Sequence, residues 1–142
     1  MRLADRVRHW FNRVPLPTHL RHGNLGERAA REYLQRAGLK FLTRNFRSRR
    51  GEIDLVFRDA DCLVFIEVKT RSDESLSRPS SAVTARKRRL LSRTALDYVR
   101  RLPEPRVKIR FDIVEVLLTD GAVREVRHLP NSFSMAPPGR FG

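Results

Sequence analysis

The chain has 142 residues, 40% of them hydrophobic and 8% aromatic, which allows one domain with a real core and leaves too little for two. Lysine and arginine total 30 against 16 aspartates and glutamates, a net charge of +14, and lysine occurs only at Lys40, Lys69, Lys87 and Lys108. The excess points to a polyanionic partner, since neutralising backbone phosphates releases counterions, with an anionic membrane as the rival; the charge alone does not choose between them. Cys62 is the only cysteine, which excludes an intramolecular disulfide. The amino terminus lacks the apolar core of a signal peptide, and no run approaches the ~20 apolar residues that a membrane span needs. The expectation is a cytoplasmic protein with no membrane span.

In chain order, residues 1–22 read as a basic N-terminal arm. Leu3, Val7, Trp10, Phe11 and Val14 recur at helical spacing among arginines until Pro15 and Pro17 interrupt them. Such an arm either touches the polyanion or lies as a short helix over the domain. The domain, residues 23–128, opens with a predicted helix: Asn24 suits an N-cap, Gly38 suits the C′ position, and Leu25, Ala29, Ala30, Tyr33, Leu34 and Ala37 form one apolar stripe. Strands are predicted at about 39–47, 52–58 and 62–70. A second helix runs from Thr84, with Leu90, Leu91, Ala95, Tyr98, Val99 and Leu102 at helical spacing. Asp120-Gly121 then marks a hairpin between two final strands. Residues 129–142, rich in Pro, Gly and Ser, read as a mobile C-terminal tail. The order αβββαββ makes an α/β domain with a mixed sheet flanked by helices.

The second and third strands carry the chemistry. A turn at Asp59-Ala60 would pair Arg58 with Asp61, placing Asp54 opposite Phe65 and Glu52 opposite Glu67. Glu52, Asp54, Glu67 and Lys69 then share a face, with Asp54 and Glu67 as diagonal neighbours about 7 Å apart. Carboxylates beside apolar side chains raise one another's pKa unless a cation neutralises them. Few hard oxygen donors suit Mg²⁺ or Mn²⁺ held by Asp54 and Glu67, a site built for phosphodiester hydrolysis, with the Lys69 ammonium orienting water. The bland alternative is a solvent-facing Glu-Lys pair at a strand end. Glu52 is an accessory acid or a polar strand starter, and Asp112 in its apolar strand reads as structural.

Basic residues crowd the first turn of the second helix at Arg86, Lys87, Arg88 and Arg89, where the macrodipole disfavours cations and phosphate would relieve the strain. Arg86, Lys87, Arg89, Arg93 and Arg71 are therefore the expected nucleic-acid contacts, with a merely solvated basic face as the alternative.

Gly26-Glu27, Asn45, GEIDLV at 51–56, FIEVKTR at 65–71, Lys87 and RFDIV at 110–114 resemble the YraN family of small bacterial proteins over residues 23–118. That family is similar to the restriction-endonuclease-like PD-(D/E)xK nucleases, particularly to archaeal Holliday-junction resolvases. The resemblance implies an αβββαβ core, with Asp54, Glu67 and Lys69 at the motif's catalytic positions and Glu27 as the acid from the first helix. Ile53 stands where the motif name has proline. Glu27 has a second reading, since Asn24-x-x-Glu27 is nearly a capping box. The function expected is a metal-dependent endonuclease acting on DNA ahead of RNA, with branched or junction DNA and a homodimer suggested by the resolvase analogy. The alternatives are a non-catalytic nucleic-acid-binding module that keeps the fold and, behind it, a membrane-surface or protein adaptor using the arm.

Overall fold

The computed structural model describes residues 18–72, 83–104 and 106–135. Most of the N-terminal arm, the polar loop 73–82 and residues 136–142 lie outside the described residues. No helix among the described residues is long and apolar enough to cross a membrane.

Helix α1 (Thr18–Arg36) precedes strands β1 (Lys40–Ser48), β2 (Gly51–Asp59) and β3 (Cys62–Ser72). Helix α2 (Ala85–Val99) leads to β4 (Lys108–Thr119) and β5 (Ala122–Phe133). The sheet order is β1-β2-β3-β4-β5. All neighbours are antiparallel except β3 and β4, which α2 connects in parallel. This is the αβββαβ arrangement with one added edge strand.

The helices cover opposite faces of the sheet. Ala30 and Leu34 of α1 pack on Leu55, Phe57, Val64 and Ile66, whereas Leu91, Ala95 and Val99 of α2 pack on Val56, Leu63, Phe65 and Phe111. β3 therefore contributes alternate residues to two cores, which is why its run Leu63–Ile66 is apolar without interruption.

Three local expectations change. First, α1 starts at Thr18, inside the expected arm, so Asn24 lies within the helix and not at its N-cap. The capping-box reading of Glu27 therefore falls. The other end behaves as expected: Gly38 takes φ +94°, and the amides of Gly38 and Leu39 donate to the carbonyls of Gln35 and Leu34.

Second, the β2–β3 turn is Ala60-Asp61, one residue later than expected, with Asp59 opposite Cys62 and Arg58 opposite Leu63. Ala60 accommodates it at φ +51°. The register moves by two residues, which preserves the faces, and its continuation sets Asp54 against Glu67 instead of Phe65.

Third, residues 129–133, expected in the tail, continue β5. Phe133 stacks on Phe111 with centroids 4.8 Å apart, and the Asn131 amide donates to Asp112 Oδ1 at 2.9 Å. Pro130 is tolerated because β5 is an edge strand.

Candidate active site

The β2–β3 ladder ends at Leu55↔Ile66. Just beyond it the side-chain alternation of β2 breaks: Ile53 packs toward α2, whereas Leu55 packs toward α1 and Val56 toward α2 again. Asp54 sits at the break. Across β2, the Arg44↔Leu55 and Phe46↔Ile53 pairs flank Asn45, which has φ +51°. The main chain is irregular on both sides of Asp54.

Asp54 repairs the gap that it creates. Its Oδ2 accepts a hydrogen bond at 2.8 Å from the amide of Val68, a strand N–H that a continued ladder would have used. A carboxylate is thereby fixed between two strands, with one oxygen engaged by backbone. Desolvation, and then the charge of Glu67, push Asp54 up to about 7, against the lowering effect of the Val68 amide. Glu27 adds in the same direction and Lys87 opposes it.

Glu67 turns toward α2 and forms an ion pair and hydrogen bond with the Lys87 ammonium. Its side chain is 11% exposed, so the lysine supplies a charge that the site needs. Lys87 is placed by the helix cap: Thr84 Oγ1 accepts from the Lys87 amide at 3.2 Å, fixing the first turn of α2 over the end of β3.

Glu27 arrives from the other face. Its pKa is raised, first by desolvation and then by Glu52, with Glu67 contributing and Arg44 opposing. It comes close because Gly26 lets α1 settle on β3, where a Cβ would stand 1.8 Å from Thr70 Oγ1. The acids Glu27, Glu52, Asp54 and Glu67 thus form one electrostatic neighbourhood at the end of the ladder. Glu52 is exposed and pairs with Arg47 at 3.4 Å, which leaves it peripheral.

The ammonium that pairs with Glu67 comes from Lys87, a residue expected only as a nucleic-acid contact. Lys69 is partly buried, its pKa lowered by desolvation and by Arg71 and raised by Glu67 and by Glu115, its register partner on β4. Glu115, 3% exposed, escaped the sequence reading although a lone glutamate in the apolar run of β4 could have marked it. Of the expected nucleic-acid contacts, Arg86, Lys87, Arg89 and Arg93 are exposed on α2, and Arg71 is partly exposed on β3.

Among the described residues, no group of three or more His, Cys, Asp or Glu side chains is placed to hold a metal ion. Two carboxylates set against each other by the continued register, Asp54 and Glu67, suit a hard cation that keeps most of its coordination for water and phosphate.

The model of the family described as "Uncharacterised protein family UPF0102" matches residues 26–116. A UPF0102 protein of Trichlorobacter lovleyi is 43% identical over 115 residues, spanning 80% of this chain and 91% of the relative. One from Symbiobacterium thermophilum is 46% identical over 114 residues, spanning 80% and 96%, and one from Geobacter metallireducens is 40% identical over 114 residues, spanning 80% and 93%. The matched region contains Glu27, Asp54, Glu67, Lys69 and Lys87.

Proposed function

This chain belongs to the UPF0102, or YraN, family of the restriction-endonuclease-like superfamily, and from that premise we propose that it is a metal-dependent endonuclease of the PD-(D/E)xK type acting on DNA, with branched or junction DNA as the favoured substrate. The observation that carries the reading is the Asp54 carboxylate held by the Val68 amide at the end of the β2–β3 ladder, set against Glu67 by the continued register, where desolvation and then the charge of Glu67 push it up to about 7. A protein keeps such a cost where a cation is to be held.

Asp54 and Glu67 would hold Mg²⁺ or Mn²⁺, whose chemistry there is to acidify water and to neutralise charge on a phosphodiester. The rest belongs to the chain. The Val68 amide orients the Asp54 carboxylate. Lys69, partly buried and with a lowered pKa, is suited to donate hydrogen bonds to a water or a phosphate oxygen. Arg86 and Arg89 stand with Lys87 in the first turn of α2, where backbone amides and side chains together favour phosphate.

A second reading, a nucleic-acid-binding protein that keeps the fold without cutting, is favoured by one observation: the Lys87 ammonium already compensates Glu67. The test is an Mg²⁺- and Mn²⁺-dependent cleavage assay across duplex, flap, four-way-junction and single-stranded DNA, with Asp54→Asn as control. Cleavage by wild type alone supports the nuclease. Binding without cleavage of any substrate transfers the case to the second reading.

A further inference from the structure

A cleft of about 760 Å³ opens between α1 and β1, lined by Arg21, Arg28, Arg31, Arg44, Asn45 and Glu27, among others. Four guanidinium groups face it against the single carboxylate of Glu27. Among the described residues none of the four forms a salt bridge, apart from the longer-range influence of Arg44 on Glu27. Elsewhere on this protein arginines commonly find acids: Arg47 pairs with Glu52, Arg110 with Asp59 and Asp112, and Arg127 with Glu125. Among the described residues, the cleft is therefore a concave surface with uncompensated positive charge.

It is also organised. Arg21 and Arg28 are seven residues apart on α1, so they share a helix face. Arg31 lies with its guanidinium carbon 3.6 Å from the Phe41 ring centroid, and Phe41 in turn packs edge-on against buried Phe57 at 5.5 Å. A guanidinium stacked on a ring anchored in the core loses little freedom when it binds, and its fork matches phosphate oxygens. At the inner end, Glu27 joins the cleft to the carboxylate neighbourhood. On the far side of those carboxylates a smaller hollow lined by Glu52, Thr84, Arg86 and Lys87 leads to the basic turn of α2.

We infer that the α1–β1 cleft binds the phosphodiester backbone of DNA flanking the carboxylate site, with Arg28, Arg31 and Arg44 as phosphate contacts, so that a strand held at the α2 turn crosses the acids and enters this cleft. The inference rests on the nuclease-site reading for its substrate, but its contacts need no cleavage.

The experiment titrates fluorescent single-stranded DNA against wild type, the cleft variant Arg28→Gln/Arg31→Gln/Arg44→Gln and the control Arg36→Gln/Arg58→Gln/Arg106→Gln. The control removes the same charge from exposed positions outside the cleft. Titrations run in EDTA over a salt series, and thermal melting checks that each protein is folded. Removing a single phosphate neutralisation should reduce the slope of log K against log salt by about 0.7, so the slope of the cleft variant should fall by about two and that of the control much less. Nuclease footprinting should show protection retracting on one side of the site only. Equal slopes for the two variants, or disappearance of protection on both sides, overturn the inference while leaving any cleavage by wild type intact. Cleft-specific weakening of DNA binding, together with no cleavage by wild type in the Mg²⁺- and Mn²⁺-dependent assay, supports the cleft and removes the nuclease reading. A wild type that binds no DNA removes both.

Discussion

Gly26 and Thr70 are in contact so close that any side chain at position 26 must displace the threonine: a Cβ there would lie 1.8 Å from Thr70 Oγ1 and 3.0 Å from its Cβ. Glycine inside a helix costs roughly 0.5–1 kcal/mol relative to alanine, and α1 carries that cost to bring Glu27 toward the β2–β3 gap. Gly26→Ala should therefore destabilise the protein by about 1–3 kcal/mol, as overpacking does, instead of gaining from helix propensity. Thr70→Ala in the same chain should recover much of the deficit. Urea melts of the three proteins check this; stabilisation by Gly26→Ala alone would falsify the close approach.

Much of this architecture is legible in the chain because its signals are local. Both helices have a 3.6-residue apolar stripe, and Asp120-Gly121 supplies two residues at positive φ, 49° and 76°, as a tight hairpin requires. What the sequence hides depends on distant partners or on unusual residues at special angles. Ala60 at φ +51° carries no glycine or asparagine to mark the turn, so the expected register is displaced by two. Pro130, Asn131 and Ser132 look like a loop until Asp112 and Phe111 are found holding that segment as strand. Asp54, Glu67 and Lys69 are visible by motif and strand pattern, but Lys87 as the partner of Glu67 is not, because they lie twenty residues apart on different elements.

The pH dependence of stability follows from Asp54. Its ordinary value is 3.8, and in the folded protein it stands at about 7. Between these values the native state holds a proton that the unfolded chain has released. The metal-free protein should therefore lose stability as pH rises from about 4 to 7, on the order of 4 kcal/mol, and level off above that window. Asp54→Asn, which cannot ionise, should flatten this part of the profile. Denaturant midpoints measured at half-unit pH intervals on both proteins give the comparison; equal slopes from pH 4 to 7 would exclude the desolvated carboxylate. Affinity for Mn²⁺ should rise with pH across the same range, since the ligand must be ionised.

Asp112 is fully buried and saturated. Its oxygens accept from Arg110 Nε at 2.9 Å, from an Arg110 terminal nitrogen at 3.0 Å and from the Asn131 amide at 2.9 Å, and His128 Nε2 lies 2.7 Å away. Removing one member of a buried charged network leaves its partners unpaired, so Asp112→Ala should cost about 3–5 kcal/mol. The damage should be local first. Hydrogen exchange should show faster exchange of amides in β5 from His128 onward, whereas the β2–β3 ladder keeps its protection. Uniform acceleration through the sheet would contradict the role assigned to Asp112 as the anchor of that end.

Lys87 gives the sharpest test of what the acids are for. In the metal-free protein its ammonium meets Glu67, so a divalent cation must compete with it for that carboxylate. Lys87→Met keeps the aliphatic stem and deletes the charge. If Asp54 and Glu67 form a cation site, the variant should bind Mn²⁺ several-fold more tightly, corresponding to about 1 kcal/mol for a pair whose lysine is half exposed. Asp54→Asn should move the other way and abolish binding, because it removes a ligand charge. Stability should fall modestly in Lys87→Met without metal and be restored by saturating Mn²⁺, since the cation then replaces the missing ammonium. DNA affinity should weaken and its salt slope drop by roughly one, because the α2 turn then neutralises one phosphate fewer. Calorimetry with Mn²⁺, thermal melts with and without the ion, and salt-dependent DNA titrations on the same preparations report these quantities separately. Should Lys87→Met bind Mn²⁺ no better than wild type and gain no stability from it, Lys87 is a permanent structural partner of Glu67 and the non-cutting reading takes precedence.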